Sequence, residues 1–163
     1  MYEDPDVRAT DGPGGSTANG QGRSCDVTME LAPRLGAGGQ VREVLRARVS
    51  GLLPSASLRD LLMVVTELVN NSVEHGPGDP IQVRITANDD GSVRGEVEDQ
   101  GDGQVAIRDM TDEPDGGYGL RIVDTLTDRW AVYEGSTHVW FEMGSSSQPG
   151  QTAVALLDDR RQP

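Results

Sequence analysis

The sequence has no lysine; all 14 of its lysine-or-arginine positions are arginine. That excludes any mechanism built on a lysine amine or ammonium, and we read the bias as GC-rich codon usage rather than chemistry. Cysteine is almost absent as well. The single Cys25 lies in a Gly/Ser-rich stretch and can close no internal disulfide and build no cysteine zinc site, which fits a reducing cytoplasm. The two histidines, His75 and His138, are far apart in the chain, so no histidine metal site can be drawn. Aromatic residues make up only 4%. No apolar run approaches the 18 residues of a membrane-spanning helix, and the acidic N-terminus lacks the basic and apolar regions of a signal peptide. The expectation is a soluble, cytoplasmic protein with no membrane partner. Positive charge is the other shortage: the net charge is −13. A field of that sign opposes a phosphate backbone, so no direct nucleic-acid partner is expected.

What is present fits one domain with loose ends. A chain of 163 residues can bury a real core. Its 21 glycines and 9 prolines are concentrated outside the periodic segments. Residues 1–26 lack periodicity and read as a disordered tail, residues 27–143 as the folded domain, and residues 144–163 as a flexible Gly/Ser/Gln-rich tail.

Within the domain, Val27–Leu31 alternates as a short edge strand. Gln40–Leu53 carries Val41, Val44, Leu45, Val49 and Leu52 at helical spacing, with Arg42, Arg46 and Arg48 outside. The central stretch, Leu58–His75, reads as one helix that Ser55 or Ser57 can cap and His75-Gly76-Pro77-Gly78 terminates. Leu58, Leu61, Leu62, Val65, Val69, Ser72 and Val73 form its core stripe, while Met63 and Val64 imply cover on the opposite side too. Ile81–Ala87 alternates, Asn88-Asp89-Asp90-Gly91 signals a hairpin, and Val93, Gly95 and Val97 face inward on the return strand. A third helix opens at Gly116-Gly117-Tyr118-Gly119, and a final hairpin joins Trp130–Tyr133 to Thr137–Met143. The order predicts an α+β fold: a two-layer α/β sandwich, its mixed, mainly antiparallel sheet covered on one face by about three helices.

Four places carry chemistry. Glu67 and Asn71 are one turn apart, a carboxylate and an amide suited to a hydrated cation and a polarised oxygen; a surface helix with two ordinary polar residues fits the same pattern. By strand parity Asp99 points to the core, an odd place for a carboxylate without a partner. An ionised carboxylate only accepts hydrogen bonds, which suits an exocyclic amine such as that of adenine. Gly101 and Gly103 let backbone approach a flat ring, although Asp-x-Gly-x-Gly is often only a turn. Gly117-x-Gly119 at a helix start suits a phosphate chain. Ser136-Thr137, entering the last strand, offers hydroxyls.

Taken together and in this order, the segments resemble the GHKL (Bergerat-fold) ATP-binding superfamily, and within it the stand-alone anti-sigma-factor serine/threonine kinases of actinobacterial type. VVTELVNNSVEHG is similar to the family's N box, DQGDG to its first glycine box, and GGYGLRIVDTLTDRW to its second. The resemblance spans about Leu31 to Met143. It implies ATP and Mg²⁺ as cofactors, Glu67 as the general base for a substrate serine, and Asn71 as the Mg²⁺ ligand. Asn70 and His75 would line the same pocket. Asp99 would hold the adenine amine, with Gly101 and Gly103 flooring the ring site and Thr137 as a further contact. Residues 108–119 would form a lid, with Gly117, Gly119 and Leu120 at the phosphates. The implied partners are a sigma factor and an anti-anti-sigma antagonist, with a possible homodimer, near the helix that carries Val41 and Arg42.

One departure stands out. Family kinases often carry a basic residue in the lid just before the glycines; here Asp112-Glu113-Pro114-Asp115 is acidic. An acidic lid repels a triphosphate. Two other readings therefore stay open: a nucleotide-binding regulator of the same fold that acts by protein binding without transfer, and a scaffold in which the glycine loops are merely turns.

Overall fold

The computed structural model describes residues 7–11, 22–100, 118–133 and 137–144. Six strands occur among the described residues: β1 (Val7–Asp11), β2 (Ser24–Leu31), β3 (Ile81–Asn88), β4 (Val93–Glu98), β5 (Arg129–Val132) and β6 (Val139–Met143). They form one sheet in the order β1-β2-β3-β4-β6-β5. Every described pair is antiparallel, so the parallel component expected of a mixed sheet does not occur among these strands. Three helices among the described residues, α1 (Ala37–Val49), α2 (Ser55–His75) and α3 (Tyr118–Leu126), make the fold α+β.

Strand periodicity decides which face the helices cover. Ile81, Val83, Ile85 and Ala87 of β3 are buried, while Arg84 and Thr86 between them are exposed. Met29 and Leu31 of β2, Val97 of β4 and Phe141 of β6 add to the same buried side. Phe141 lies opposite Gly95 in the β4–β6 register, and a Cβ on Gly95 would sit 2.1 Å from its ring. Gly95 thus makes room for the largest fully buried side chain. The other face is polar: Arg84 lies 3.7 Å from Glu96 and Arg94 3.4 Å from Glu142. In the β3–β4 turn, the Ser92 hydroxyl and N–H both donate to Asp90 and hold its carboxyl below the usual range.

Helix α1 begins after Gly36, which turns the chain at φ 95°. It starts three residues earlier than Gln40 and stops at Val49, beyond which Leu53 N–H still bonds the Val49 carbonyl at 3.0 Å. Helix α2 starts at Ser55, so neither Ser55 nor Ser57 is its cap; Pro54 precedes it and no side chain caps it. Its end at His75 is as expected, with Gly76 N–H bonding the Ser72 carbonyl at 2.9 Å. The two helices pack closely because Gly38 has no side chain: a Cβ there would lie 2.6 Å from Asn70 Oδ1 and 3.1 Å from Thr66 Cγ2.

The expected disordered tail over residues 1–26 is corrected at both of its described parts. Val7–Asp11 is a strand paired along β2, and β2 itself begins at Ser24 rather than Val27. The pairing satisfies an otherwise open row of backbone groups on β2. Such a long-range ladder outweighs a local composition that favours disorder.

Candidate functional site

The site is built around α2. The helix buries Leu61, Leu62, Val64, Val65, Leu68, Val69 and Ser72, a wider stripe than a surface helix shows. Val64 is fully buried while its neighbour Met63 is 43% exposed, so only part of the side opposite the expected stripe is covered. Helix α3 also packs against α2. Glu67 and Asn71 are both half-buried, about 6 Å apart along the axis.

At the C-terminal end of α2 sits Asp99, the residue after the end of β4. Strand alternation turns it inward, and it is 4% exposed. The Thr137 hydroxyl donates to its Oδ1. Its Oδ2 lies 3.0 Å from where a Cβ on Gly76 would stand, and that same Cβ would be 2.3 Å from the Ser72 carbonyl oxygen. Only glycine lets the helix end come this close to the carboxylate. Gln100 follows at φ 63°, the one non-glycine residue with positive φ among those described. This left-handed geometry is disfavoured by about 1–2 kcal/mol. It stands where the chain leaves the buried carboxylate for the glycine-rich segment, and such outliers cluster at ligand sites.

Of the residues singled out from sequence, the structure brings Asp99 and Thr137 into direct contact and places both beside the end of α2. Leu120 packs against the core from the first turn of α3, which also contains Gly119. Asn70 is turned to α1, against Gly38, and is exposed rather than set beside Asn71. His75 is likewise exposed at the helix end, its imidazole 3.8 Å from the Glu74 carboxylate. Successive helix positions diverge by about 100°, which is why neighbours in one motif face different ways. Gly101, Gly103, Gly117, Ser136 and most of the 108–119 segment lie outside the described residues.

Glu67 opens on a second feature, a groove of about 380 Å³ between α1 and α2. Leu58, Leu62 and Met63 form its apolar wall, with Arg42, Arg46 and Arg59 around it. The contributions of Gly76 and Arg59 were not legible from sequence. Gly76 looked only like a terminator, and Arg59 is far in sequence from Arg42 and Arg46. The hint for the first was a glycine following the helix whose end must approach an inward carboxylate.

The donor set also bears on a metal. No group of three or more His, Cys, Asp or Glu able to hold an ion occurs among the described residues. A divalent ion at Asn71 would take one amide oxygen from the protein and the rest from phosphate and water, the ordinary habit of Mg²⁺ with nucleotides. The residues present fit that role.

Comparison with known proteins bears on the fold and the family. The chain is similar in structure to the RsbU and RsbW domains of Rv1364c from Mycobacterium tuberculosis, with a TM-score of 0.50 and 21% identity. The match takes in 71% of this chain and 31% of the other, so this chain spans about a third of the length of the chain it matches. At this identity the likeness speaks for the fold. A search of curated proteins gives no match. The family model described as "Histidine kinase-like ATPase domain" matches residues 31–143, from the last residue of β2 to the last of β6. That is well over half of the sequence, and the chain belongs to the histidine kinase-like ATPase domain family.

Proposed function

We propose that the chain binds Mg-ATP beside Asp99 and transfers the terminal phosphoryl group to a serine or threonine of an anti-anti-sigma antagonist, while sequestering a sigma factor in a separate complex in the cytoplasm. The observation that carries this reading is the buried Asp99 carboxylate, with the Thr137 hydroxyl on one oxygen and the glycine end of α2 against the other. A buried carboxylate that accepts hydrogen bonds beside a glycine-rich segment suits the adenine amine. Gly101, Gly103 and Gly117 would admit the ring and the phosphates. Mg²⁺ held at Asn71, when bound, neutralises phosphate charge.

In the transfer, Glu67 accepts the proton of the attacking hydroxyl as the new oxygen–phosphorus bond forms and the bond to the ADP oxygen breaks. Positioning and charge neutralisation supply most of such a rate. The groove at Glu67, with its three guanidinium groups, offers an acidic partner a place beside the base. Surfaces near Val41 and Arg42 would also serve a homodimer or the sigma factor.

The acidic Asp112-Glu113-Pro114-Asp115 motivates one rival, a nucleotide-dependent binder that performs no transfer. Labelled ATP with the purified antagonist separates the two. Phosphorylated antagonist that disappears in Glu67→Ala supports the kinase; ATP binding with no phosphorylated product supports the binder.

A further inference from the structure

Gly38 stands where the first turn of α1 meets the turn of α2 that carries Glu67 and Asn71. A Cβ on it would lie 2.6 Å from Asn70 Oδ1, 3.3 Å from Asn70 Cγ and 3.1 Å from Thr66 Cγ2. Thr66 and Asn70 are the residues immediately before Glu67 and Asn71 and, like them, stand one helical turn apart. A single missing side chain thus brings α1 against both steps of that turn. We propose, on the reading of Glu67 as base and Asn71 as Mg²⁺ ligand, that Gly38 is a positioning residue for phosphoryl transfer, its close approach setting where both groups stand.

Neither side of the contact has much room to yield. The start of α1 is pinned: Ala37 is fully buried, its N–H donates to the Arg34 carbonyl at 3.1 Å, and the N–H groups of Gly39 and Gln40 both donate to the Gly36 carbonyl. On α2 the Thr66 hydroxyl donates to the Leu62 carbonyl, which fixes its rotamer and leaves Cγ2 toward Gly38. The neighbouring Val65 and Val69 are fully buried and hold the helix in the core. To reach ordinary contact with a Cβ at position 38, Asn70 Oδ1 must move by about 0.8 Å and Thr66 Cγ2 by about 0.3 Å. The exposed Asn70 carboxamide can swing, whereas the Thr66 methyl moves only with its helix turn or at the loss of the Leu62 bond. A misplacement of about 1 Å can cost a reaction about 10²-fold, so shifts of this size bear on Glu67 and Asn71. They bear less on Asp99, which meets α2 later, at Gly76. Gly39 supplies the control: it belongs to the same turn of α1, is exposed, and a Cβ on it would meet nothing within 4 Å. Alanine alters helix propensity alike at the two positions, but only at Gly38 does it press on α2.

Wild type, Gly38→Ala and Gly39→Ala are compared on the full chain by labelled-ATP transfer to the purified antagonist, and by titration calorimetry with ADP alone and with ATP in the presence and absence of Mg²⁺. Positioning predicts that Gly38→Ala lowers the turnover rate about tenfold and cuts the gain in ATP affinity on adding Mg²⁺ at least about threefold. Its affinity for ADP alone should stay within about twofold of wild type, and Gly39→Ala should stay within about twofold in every measurement. Against a Thr66→Ser, Asn70→Ala background, which removes the three atoms nearest the added Cβ, Gly38→Ala should cost less than about twofold. Equal rates for the two glycine variants would overturn the proposal. So would an unrelieved loss in the relaxed background, or a fall in ADP affinity in step with transfer, the mark of a merely structural change. A wild type with neither transfer nor a gain from Mg²⁺ would remove the kinase reading itself, and the role of Gly38 with it.

Discussion

At its C-terminal end α2 meets a carboxylate that is 4% exposed, bonded to one hydroxyl and pressed against a helix terminus through a glycine. Toward its other end the same helix shares an open groove in which Glu67 faces water and three arginines. Asp99 is held by partners that the fold fixes around it. The groove charges stay solvated, and exposed pairs such as Arg59–Asp60 contribute about 0–1 kcal/mol. The first end holds its carboxylate in a fixed setting, whereas the exposed charges of the other act through recognition. The two ends should therefore respond differently when their residues are changed.

The largest effect belongs to Glu67. Its replacement by alanine is expected to lower phosphoryl transfer by about 10²–10⁴-fold, with nucleotide binding nearly unchanged, as read by labelled-ATP transfer and by titration calorimetry on the same sample. Next is Gly76→Ala, whose Cβ would press on both the Ser72 carbonyl and Asp99. Overpacking of this kind costs about 1–3 kcal/mol, seen as a fall of several degrees in Tm, and nucleotide affinity should fall with it. Asp99→Asn sharpens the contrast because stability and binding part company. Without ligand the amide keeps an oxygen that accepts from the Thr137 hydroxyl, so the Tm should stay close to that of wild type. Nucleotide binding should weaken by about 1.5–3 kcal/mol, the worth of a hydrogen bond to a charged group. Arg42→Ala is the smallest, within about 0.5 kcal/mol of wild type in stability, as for an exposed charge.

How far the sequence foretold this contrast depended on the kind of signal. Strand alternation through Val93, Gly95 and Val97 correctly aimed Asp99 at the core, because parity is local and fixed by the pleat. The span of α2 was legible from its apolar spacing and from the glycine-proline terminator after His75. What the sequence did not carry was whatever depended on a distant partner. Val7–Asp11 has no local strand signature strong enough to outweigh its glycine-rich surroundings, and only its ladder with β2 makes it a strand. Asn70 sits in the same motif as Asn71, yet it turns to Gly38, on a helix whose packing no helical period reveals. Gly95 could be read as an inward residue, but not as the space that Phe141 occupies across the register.

The most direct test of the central claim is thermal unfolding of wild type and Asp99→Asn with and without Mg-ATP. Ligand at about 100 times its Kd should add roughly 2.7 kcal/mol of apparent stability. A fully stabilised wild type and an Asp99→Asn variant whose added stability falls to about 0.3–1.3 kcal/mol at the same ligand concentration is the predicted result. A wild type whose melting is unmoved by millimolar Mg-ATP would contradict the account, since the buried carboxylate would then have no nucleotide to serve.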